Sequence, residues 1–181
     1  MALENADQQV LKQLAQWIKQ GHSSWLCTVV KTWGSSPRPV GSLLACNDAG
    51  HLSGSLSGGC IEEDLLERLQ LGEMASVAPE VLIYGVSQAE TERFGLPCGG
   101  QLHVVIEPFK DTPHLEALET MIHRIEQRQC IERRLDIATG DFSLTETERF
   151  RHLHFDGSFS NTSHPGEKTL TQTFGPRHQL F

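Results

Sequence analysis

The chain has 181 residues, of which 38% are hydrophobic, so one core can form without disulfides or a structural metal. Its 15 basic and 23 acidic residues give a net charge of −8, which argues against a general nucleic-acid-binding protein. No apolar run approaches the roughly 20 residues of a membrane helix, and the first residues do not have the pattern of a signal peptide. We therefore expect a soluble, cytoplasmic protein with neither nucleic acid nor membrane among its partners.

The hydrophobic pattern predicts three helices and a series of short strands. Apolar residues recur at helical spacing in three segments, over residues 10–19, 61–69 and 115–128. Strands are predicted at 25–32, 42–46, 51–55, 81–84, 102–107, 135–138, 142–144, 150–155 and 170–174. This order predicts a mixed α/β or α+β fold: a single domain over residues 4–174 with a mixed sheet, flanking helices and a β-rich C-terminal part.

The five cysteines form no Cys-x-x-Cys pair, so a structural zinc site is poorly supported and reduced thiols are expected. Cys27, Cys46 and Cys130 lie in apolar strands or at helix ends, where we expect core residues. Cys60 and Cys98 lie in glycine-rich segments instead. These two are therefore the candidate functional thiols.

Three irregular loops, over residues 34–42, 53–60 and 95–100, concentrate the small and reactive residues. Such loops let a ligand approach the backbone and expose N–H groups to it, as an anion-binding site requires. Arg38 stands between two prolines, which would preorganise its guanidinium for a phosphate or carboxylate; a plain surface arginine is the alternative. Four serine hydroxyls could donate to the same anion or merely close turns: Ser35, Ser36, Ser55 and Ser57.

Cys60 is predicted in the first turn of a helix, with Gly59 as its N-cap and Glu62 at the third position. The helix dipole would favour a thiolate there, whereas the carboxylates of Glu62, Glu63 and Asp64 would raise the thiol pKa. A buried small thiol is the alternative.

The segment Cys98-Gly99-Gly100 reverses the Gly-Gly-Cys order. Alone it indicates a tight turn with a buried thiol, but two such units in one domain also suit sulfur transfer or a soft metal. His51 and His103 occupy strand positions, where a structural role is the simpler interpretation.

Taken together, Gly34–Gly41, Gly54–Glu62 and Gly95–Gly100, followed by Val105–Pro108, resemble the XdhC/CoxI family. Its members are accessory proteins of xanthine dehydrogenase and related molybdenum hydroxylases. The resemblance covers a motif-bearing core of about residues 8–108, with 109–174 as a β-rich continuation. Many members carry a second, Rossmann-like domain, so residues 175–181 would be a linker or the start of such a domain.

The resemblance implies an accessory chaperone rather than an enzyme. Such a protein binds the molybdenum cofactor (molybdopterin) transiently, assists its sulfuration and delivers it to the hydroxylase. The implied partners are a molybdenum hydroxylase such as xanthine dehydrogenase, a cysteine desulfurase and a second copy in a homodimer. The cofactor-binding residues it implies are Ser35, Ser36, Arg38, Ser57, Gly58, Gly59, Cys60, Cys98, Gly99 and Gly100, with Cys60 or Cys98 as a molybdenum contact.

Two other functions stay open at this point. The chain could be a thiol-dependent sulfur-transfer enzyme that uses Cys60 or Cys98, although no histidine base accompanies Cys60 in the sequence. Alternatively it is a protein–protein docking module that binds no cofactor. The cofactor hypothesis further predicts that the loops of Arg38, Cys60 and Cys98 meet in one pocket.

Overall fold

The computed structural model describes residues 5–33, 38–57, 60–85, 101–157 and 168–177, without the side chains of Trp33 and Cys60. Its helices are α1 (Ala6–Lys19), α2 (Cys60–Gln70) and α3 (Thr112–Glu126). The first five strands are β1 (Ser24–Trp33), β2 (Leu43–Asn47), β3 (Leu52–Gly54), β4 (Glu80–Tyr84) and β5 (Gln101–Phe109). The other four are β6 (Cys130–Asp136), β7 (Phe142–Thr147), β8 (His154–Asp156) and β9 (Thr169–Phe174). No helix of the described ranges is long and apolar enough to cross a membrane.

The strands form two sheets, which we call sheet A (order β3-β2-β1-β5-β4) and sheet B (order β7-β6-β9-β8). The predicted mixed α+β class with flanking helices is therefore confirmed. The predicted mixed sheet is wrong, because every pairing among the described strands is antiparallel. The reason is that β1, β2 and β3 follow one another as hairpins, and β4 and β5 then run antiparallel along the far side of β1.

Sheet A is covered on both faces. Helix α2 packs on one face, where its buried residues Ile61, Leu65 and Leu69 meet a cluster that includes Cys27 and Tyr84. Helices α1 and α3 cover the other face, where Leu26, Leu43 and Phe109 join the core. Sheet B packs beside these two helices, since Val30 and Val105 of sheet A cluster with Leu135 and Leu170 of sheet B. Because both faces of sheet A are covered, only the ends of its strands are open to the connecting segments.

Strand β5 does not stop at Pro108, as the sequence predicted, but continues to Phe109. Pro108 pairs with Trp25 of β1. On the other side of β5, the pairing with β4 extends only as far as Ile106, which lies opposite Glu80, the first residue of β4. On the β4 side Pro108 therefore lies beyond the neighbouring strand, where the lack of a backbone N–H costs no ladder hydrogen bond.

Strand β6 begins at Cys130 rather than at the predicted residue 135. The charged run Glu132-Arg133-Arg134 hides the strand in the sequence, yet the Arg133 side chain is only 5% exposed. Its Nη1 donates a 2.6 Å hydrogen bond to Oε1 of the buried Glu107 of β5, and its Nη2 pairs with Oε2. A charged residue can thus be a core residue of β6 because its partner lies on the facing sheet.

We expect Arg133→Met to destabilise the fold by about 3–5 kcal/mol, because it leaves the Glu107 carboxylate buried and unpaired. The double variant Glu107→Gln, Arg133→Met should recover most of this loss, since no buried charge remains. Urea unfolding measures both, with Arg134→Met as the matched control because Arg134 is the exposed neighbour on the same strand. An Arg133→Met cost no larger than that of Arg134→Met would contradict the prediction.

Burial lowers the pKa of His103, and the nearby Lys31 lowers it further. His103 lies on β5 opposite Lys31 of β1 and Ile83 of β4. Because its pKa is lower in the folded state than in the unfolded state, the unfolded chain binds the proton first as the pH falls below about 6.5. The folding stability due to this group is therefore complete at neutral pH and is lost on acidification.

His103→Gln should accordingly reduce the fall in the free energy of unfolding between about pH 7.5 and about pH 5.5. Urea unfolding at each pH measures the slope. His154→Gln is the control, because His154 is exposed at the start of β8. Identical slopes for the wild type and His103→Gln would show that the interpretation is wrong.

Candidate functional site

The three irregular loops leave sheet A at the same end. Strand β1 finishes at Trp33, which pairs with Gln101, the first residue of β5. Strand β4 finishes at Tyr84, which pairs with the next residue of β5, Leu102. Strand β3 finishes at Gly54 opposite Leu44, near the start of β2. The antiparallel topology thus brings the flanks of all three loops to one edge of the molecule.

The loop that carries Arg38 returns to the sheet as a fixed turn. The backbone N–H of Gly41 donates to Val29 O at 2.7 Å, and both the N–H and the hydroxyl of Ser42 donate to Pro39 O. Gly41 has a φ of +95°, a conformation that favours glycine. Arg38 is exposed just before this turn. The turn that follows Arg38 is therefore held at one place, and Arg38 itself is exposed to solvent.

The segment Ser55–Ser57, between β3 and α2, is held by one buried carboxylate. Glu62, which is 6% exposed, accepts hydrogen bonds through Oε1 from the backbone N–H groups of Leu56 and Ser57, both at 2.8 Å. The hydroxyl of Ser55 donates to the same oxygen at 3.1 Å, and that of Ser57 donates to Oε2 at 2.9 Å. This network extends the predicted capping role of Glu62 to the whole segment before the helix.

The turn that precedes this segment requires glycine. Gly54 has a φ of +91°, and a Cβ there would overlap the carbonyl oxygen of Leu43 and come within 2.9 Å of Val10 Cγ2. The close approach lets the N–H of Ser55 donate to the same Leu43 oxygen at 3.1 Å. The direction in which the chain leaves β3 is therefore set by the absence of a side chain at Gly54.

Asp64 connects α2 to the end of β4. The hydroxyl of the fully buried Tyr84 donates to Asp64 Oδ2 at 2.9 Å, and Arg68 Nε lies 3.0 Å from the same oxygen. Burial and the Asp64 carboxylate both raise the pKa of Tyr84, so its hydroxyl stays protonated and acts as a donor. Sequence reasoning missed this contact. The signal was available, because a tyrosine in a buried strand needs a partner for its hydroxyl.

The three acidic residues at the start of α2 therefore have separate roles. Glu62 is turned back into the Ser55–Ser57 segment, Asp64 faces Tyr84 and Arg68, and Glu63 is exposed. The sequence pattern treated them as one group of charges that would crowd Cys60. In the structure two of them position the chain on either side of the helix.

The structure tests only part of the predicted site. Arg38 and Ser57 are described, and α2 begins at Cys60 as expected. The other predicted cofactor-binding residues lie outside the described residues: Ser35, Ser36, Gly58, Gly59, Cys98, Gly99 and Gly100. The predicted meeting of the Arg38, Cys60 and Cys98 loops therefore stays a prediction. Among the described residues, no group of three or more His, Cys, Asp or Glu side chains could hold a metal ion.

The three cysteines assigned to the core are buried, which confirms that prediction. A hydrogen bond with Cys46 raises the pKa of the Cys27 thiol well above its ordinary value, and burial raises it further. Burial also raises the pKa of Cys130, whose Sγ lies 3.3 Å from Pro176 O. Thiols whose pKa is raised in this way are poor nucleophiles, so we assign no chemical role to Cys27 or Cys130.

Two cavities differ in their relation to the loops. A groove of about 430 Å³ runs between α1 and α3, and ion pairs of Lys12 with Glu126 and of Lys19 with Glu119 span it. It lies on the face of sheet A opposite α2. A small cleft of about 40 Å³ lies beside the Arg38 turn, where Gly41 meets Gln172 of β9. Neither cavity includes the start of α2.

Comparisons with known proteins agree with these motifs. The chain is 27% identical over 128 residues to the molybdenum cofactor insertion chaperone PaoD of Escherichia coli, a match that covers 70% of this chain and 38% of that protein. It is 29% identical over 103 residues to a Bacillus subtilis protein named as a probable subunit of xanthine dehydrogenase, covering 54% of this chain and 31% of that one. The chain thus matches about a third of the length of these two relatives.

The fold has a counterpart among solved structures. A crystal structure of a xanthine dehydrogenase from Bacillus halodurans superposes with a TM-score of 0.65 at 21% identity, covering 93% of this chain and 53% of that one. At this identity the likeness shows the fold alone. The XdhC and CoxI family model matches residues 17–85, which include β1, the Arg38 turn, Ser55–Ser57, α2 and β4. The resemblance predicted from the motifs is thereby confirmed over residues 17–85, the part of the chain that the family model matches.

Proposed function

We propose that the chain handles the molybdenum cofactor: it binds the cofactor transiently, assists its sulfuration and delivers it to a molybdenum hydroxylase such as xanthine dehydrogenase. The observation that supports the proposal is that the strand ends next to the three motif-bearing segments lie at one common end of sheet A. The relatives named as a cofactor insertion chaperone and a probable dehydrogenase component support the same class of function.

The described residues fit one end of this cofactor. Molybdopterin supplies a phosphate and a soft metal held by dithiolene sulfurs. Arg38, exposed beside a turn that three backbone and hydroxyl hydrogen bonds fix, is suited to hold the phosphate. Its guanidinium is the charge that a chain of net charge −8 needs to attract an anion locally.

The thiols of Cys60 and Cys98 belong to the sulfur side of the proposal. A thiolate is a soft ligand and a sulfur acceptor, which suits either a molybdenum contact or the receipt of sulfur from a cysteine desulfurase. Cys60 starts α2, and Cys98 lies in the sequence between β4 and β5. In this proposal the sulfur chemistry takes place between the two loops, and Arg38 holds the far end of the cofactor.

Anaerobic purification followed by metal and pterin analysis tests the proposal. We expect the wild-type chain to bind molybdenum cofactor and Arg38→Ala to weaken binding about tenfold, the usual cost of one charge-assisted hydrogen bond. Arg134→Ala is the control, since Arg134 is exposed on sheet B, and it should bind as the wild type does. If the purified wild-type chain contains no pterin but still binds the hydroxylase, the result would instead favour the docking module.

Cys60→Ser and Cys98→Ser should weaken cofactor retention or activation of the hydroxylase while the melting temperature stays nearly unchanged. Alkylation rates near neutral pH identify which thiol has the lower pKa, because the thiolate is the reactive form. Stoichiometric cofactor binding by the double variant would eliminate the thiols and leave Arg38 as the binding element. Sulfur transfer to a small acceptor without any cofactor would favour the sulfur-transfer enzyme.

A further inference from the structure

We propose that Glu62 sets the hydrogen-bonding polarity of the site, so that Ser57 receives donor groups of the cofactor and the phosphate is excluded from this side. The inference deepens the proposed function and rests on it for the identity of the ligand. It concerns only described side chains: Glu62 on α2 and the Ser55–Ser57 segment that it holds.

The first step is the fate of the Ser57 proton. A serine hydroxyl has one proton to donate and two lone pairs that accept. In the structure that proton is donated to Glu62 Oε2 at 2.9 Å. A half-buried Ser57 therefore offers a ligand its lone pairs, which accept from an N–H or O–H group, and it could donate to a phosphate oxygen only by giving up its hydrogen bond to Glu62. The loop sequence predicted the opposite role, in which the Ser57 hydroxyl donates a hydrogen bond to a bound anion.

The second step is charge. Glu62 is 6% exposed, and its carboxylate lies within 2.9 Å of three polar groups of the segment before α2. In this poorly solvated position its negative charge opposes the approach of a second anion more strongly than a solvated carboxylate would. The same charge favours a ligand edge rich in N–H groups. The amino-pyrimidinone edge of a pterin has this character, and its phosphate does not.

The third step is that the carboxylate is needed for this polarity, not only a side chain of its size. In Glu62→Gln the amide has one acceptor oxygen and one NH₂ donor. If the oxygen keeps the N–H groups of Leu56 and Ser57, the NH₂ group must face the Ser57 hydroxyl. That hydroxyl then accepts, and its own proton becomes available to a ligand. One nearly isosteric substitution thus removes the charge and turns Ser57 from an acceptor into a donor.

The experiment compares Glu62→Gln with Glu63→Gln, which removes the same charge from the exposed neighbour on α2. Inorganic phosphate is titrated while the amide resonance of Ser57 is followed, and molybdenum cofactor binding is measured on the same samples. We expect phosphate to shift this resonance in Glu62→Gln at concentrations at least tenfold lower than in the wild type or Glu63→Gln. Cofactor affinity should fall at least tenfold in Glu62→Gln and less than twofold in Glu63→Gln.

Ser57→Ala provides a second test if Glu62→Gln folds poorly. Removal of the acceptor should weaken cofactor binding several-fold and leave the weak phosphate response unchanged. Equal phosphate responses in the wild type and Glu62→Gln, or equal cofactor affinities in both, would overturn the inference and leave the proposed function standing. A wild type that binds no cofactor would refute the proposed function, and the phosphate titration would still decide whether Glu62 controls the polarity of Ser57.

Discussion

The two sheets of this protein are joined by a buried ion pair as well as by apolar contact. Glu107 of sheet A and Arg133 of sheet B are 3% and 5% exposed, and the guanidinium also lies over the rings of Phe109 and Phe142, at 5.2 and 4.6 Å from their centroids. Apolar contact between sheets is non-directional, whereas a bidentate pair between two planar groups has one good geometry. The pair therefore favours one placement of sheet B against sheet A, and this contribution to geometry is separate from any contribution to stability.

This fixed geometry reaches the candidate site through the neighbouring strand. Gln172 of β9 lies opposite Arg133 in the register of sheet B, and its Nε2 lies 3.5 Å from the carbonyl oxygen of Gly41. Two residues that pair with each other in sheet B therefore make both contacts: Arg133 binds Glu107, and Gln172 contacts the turn that follows Arg38. The turn at Gly41 is thus contacted by Gln172, a residue far away in the sequence, although the sequence of residues 34–42 contains only short-range turn signals. The β-rich C-terminal part contributes in this way to the position of the first motif loop.

Local patterns in the sequence were enough to predict the helices and most strands, because their apolar spacing reflects which face is buried. The predictions failed where a tertiary partner changed the meaning of a residue. Arg133 could be recognised as a core residue only once Glu107 was placed opposite it, and Pro108 was acceptable in a strand because the pairing with β4 reaches only to Ile106. Apolar spacing does not tell which strands pair when they are far apart in the sequence, so the antiparallel pairing of β5 with β1 was not predictable from it.

The site shows the same division between local and long-range information. The sequence located Arg38, Ser57 and the start of α2, since glycine, proline and helix-capping signals are local. It could not divide Glu62 from Glu63, because adjacent helical positions differ only in the direction they face, and that direction depends on the fold. The fold turns Glu62 into the loop and leaves Glu63 in solvent. The structural difference between these two identical neighbours is therefore a property of packing.

An asymmetric site of this kind suits a protein that must give its ligand away. On the proposed function, Arg38 attracts the anionic end of the cofactor from an exposed position, where charge–charge attraction is weakened by water and salt. In the same proposal Glu62 disfavours the anionic end at the start of α2, so the two opposite charges give the cofactor one preferred orientation. Orientation then comes from opposed charges at the two ends, while the exposed Arg38 adds only a screened attraction. A carrier needs this combination, because tight binding of its cargo would oppose delivery to the hydroxylase.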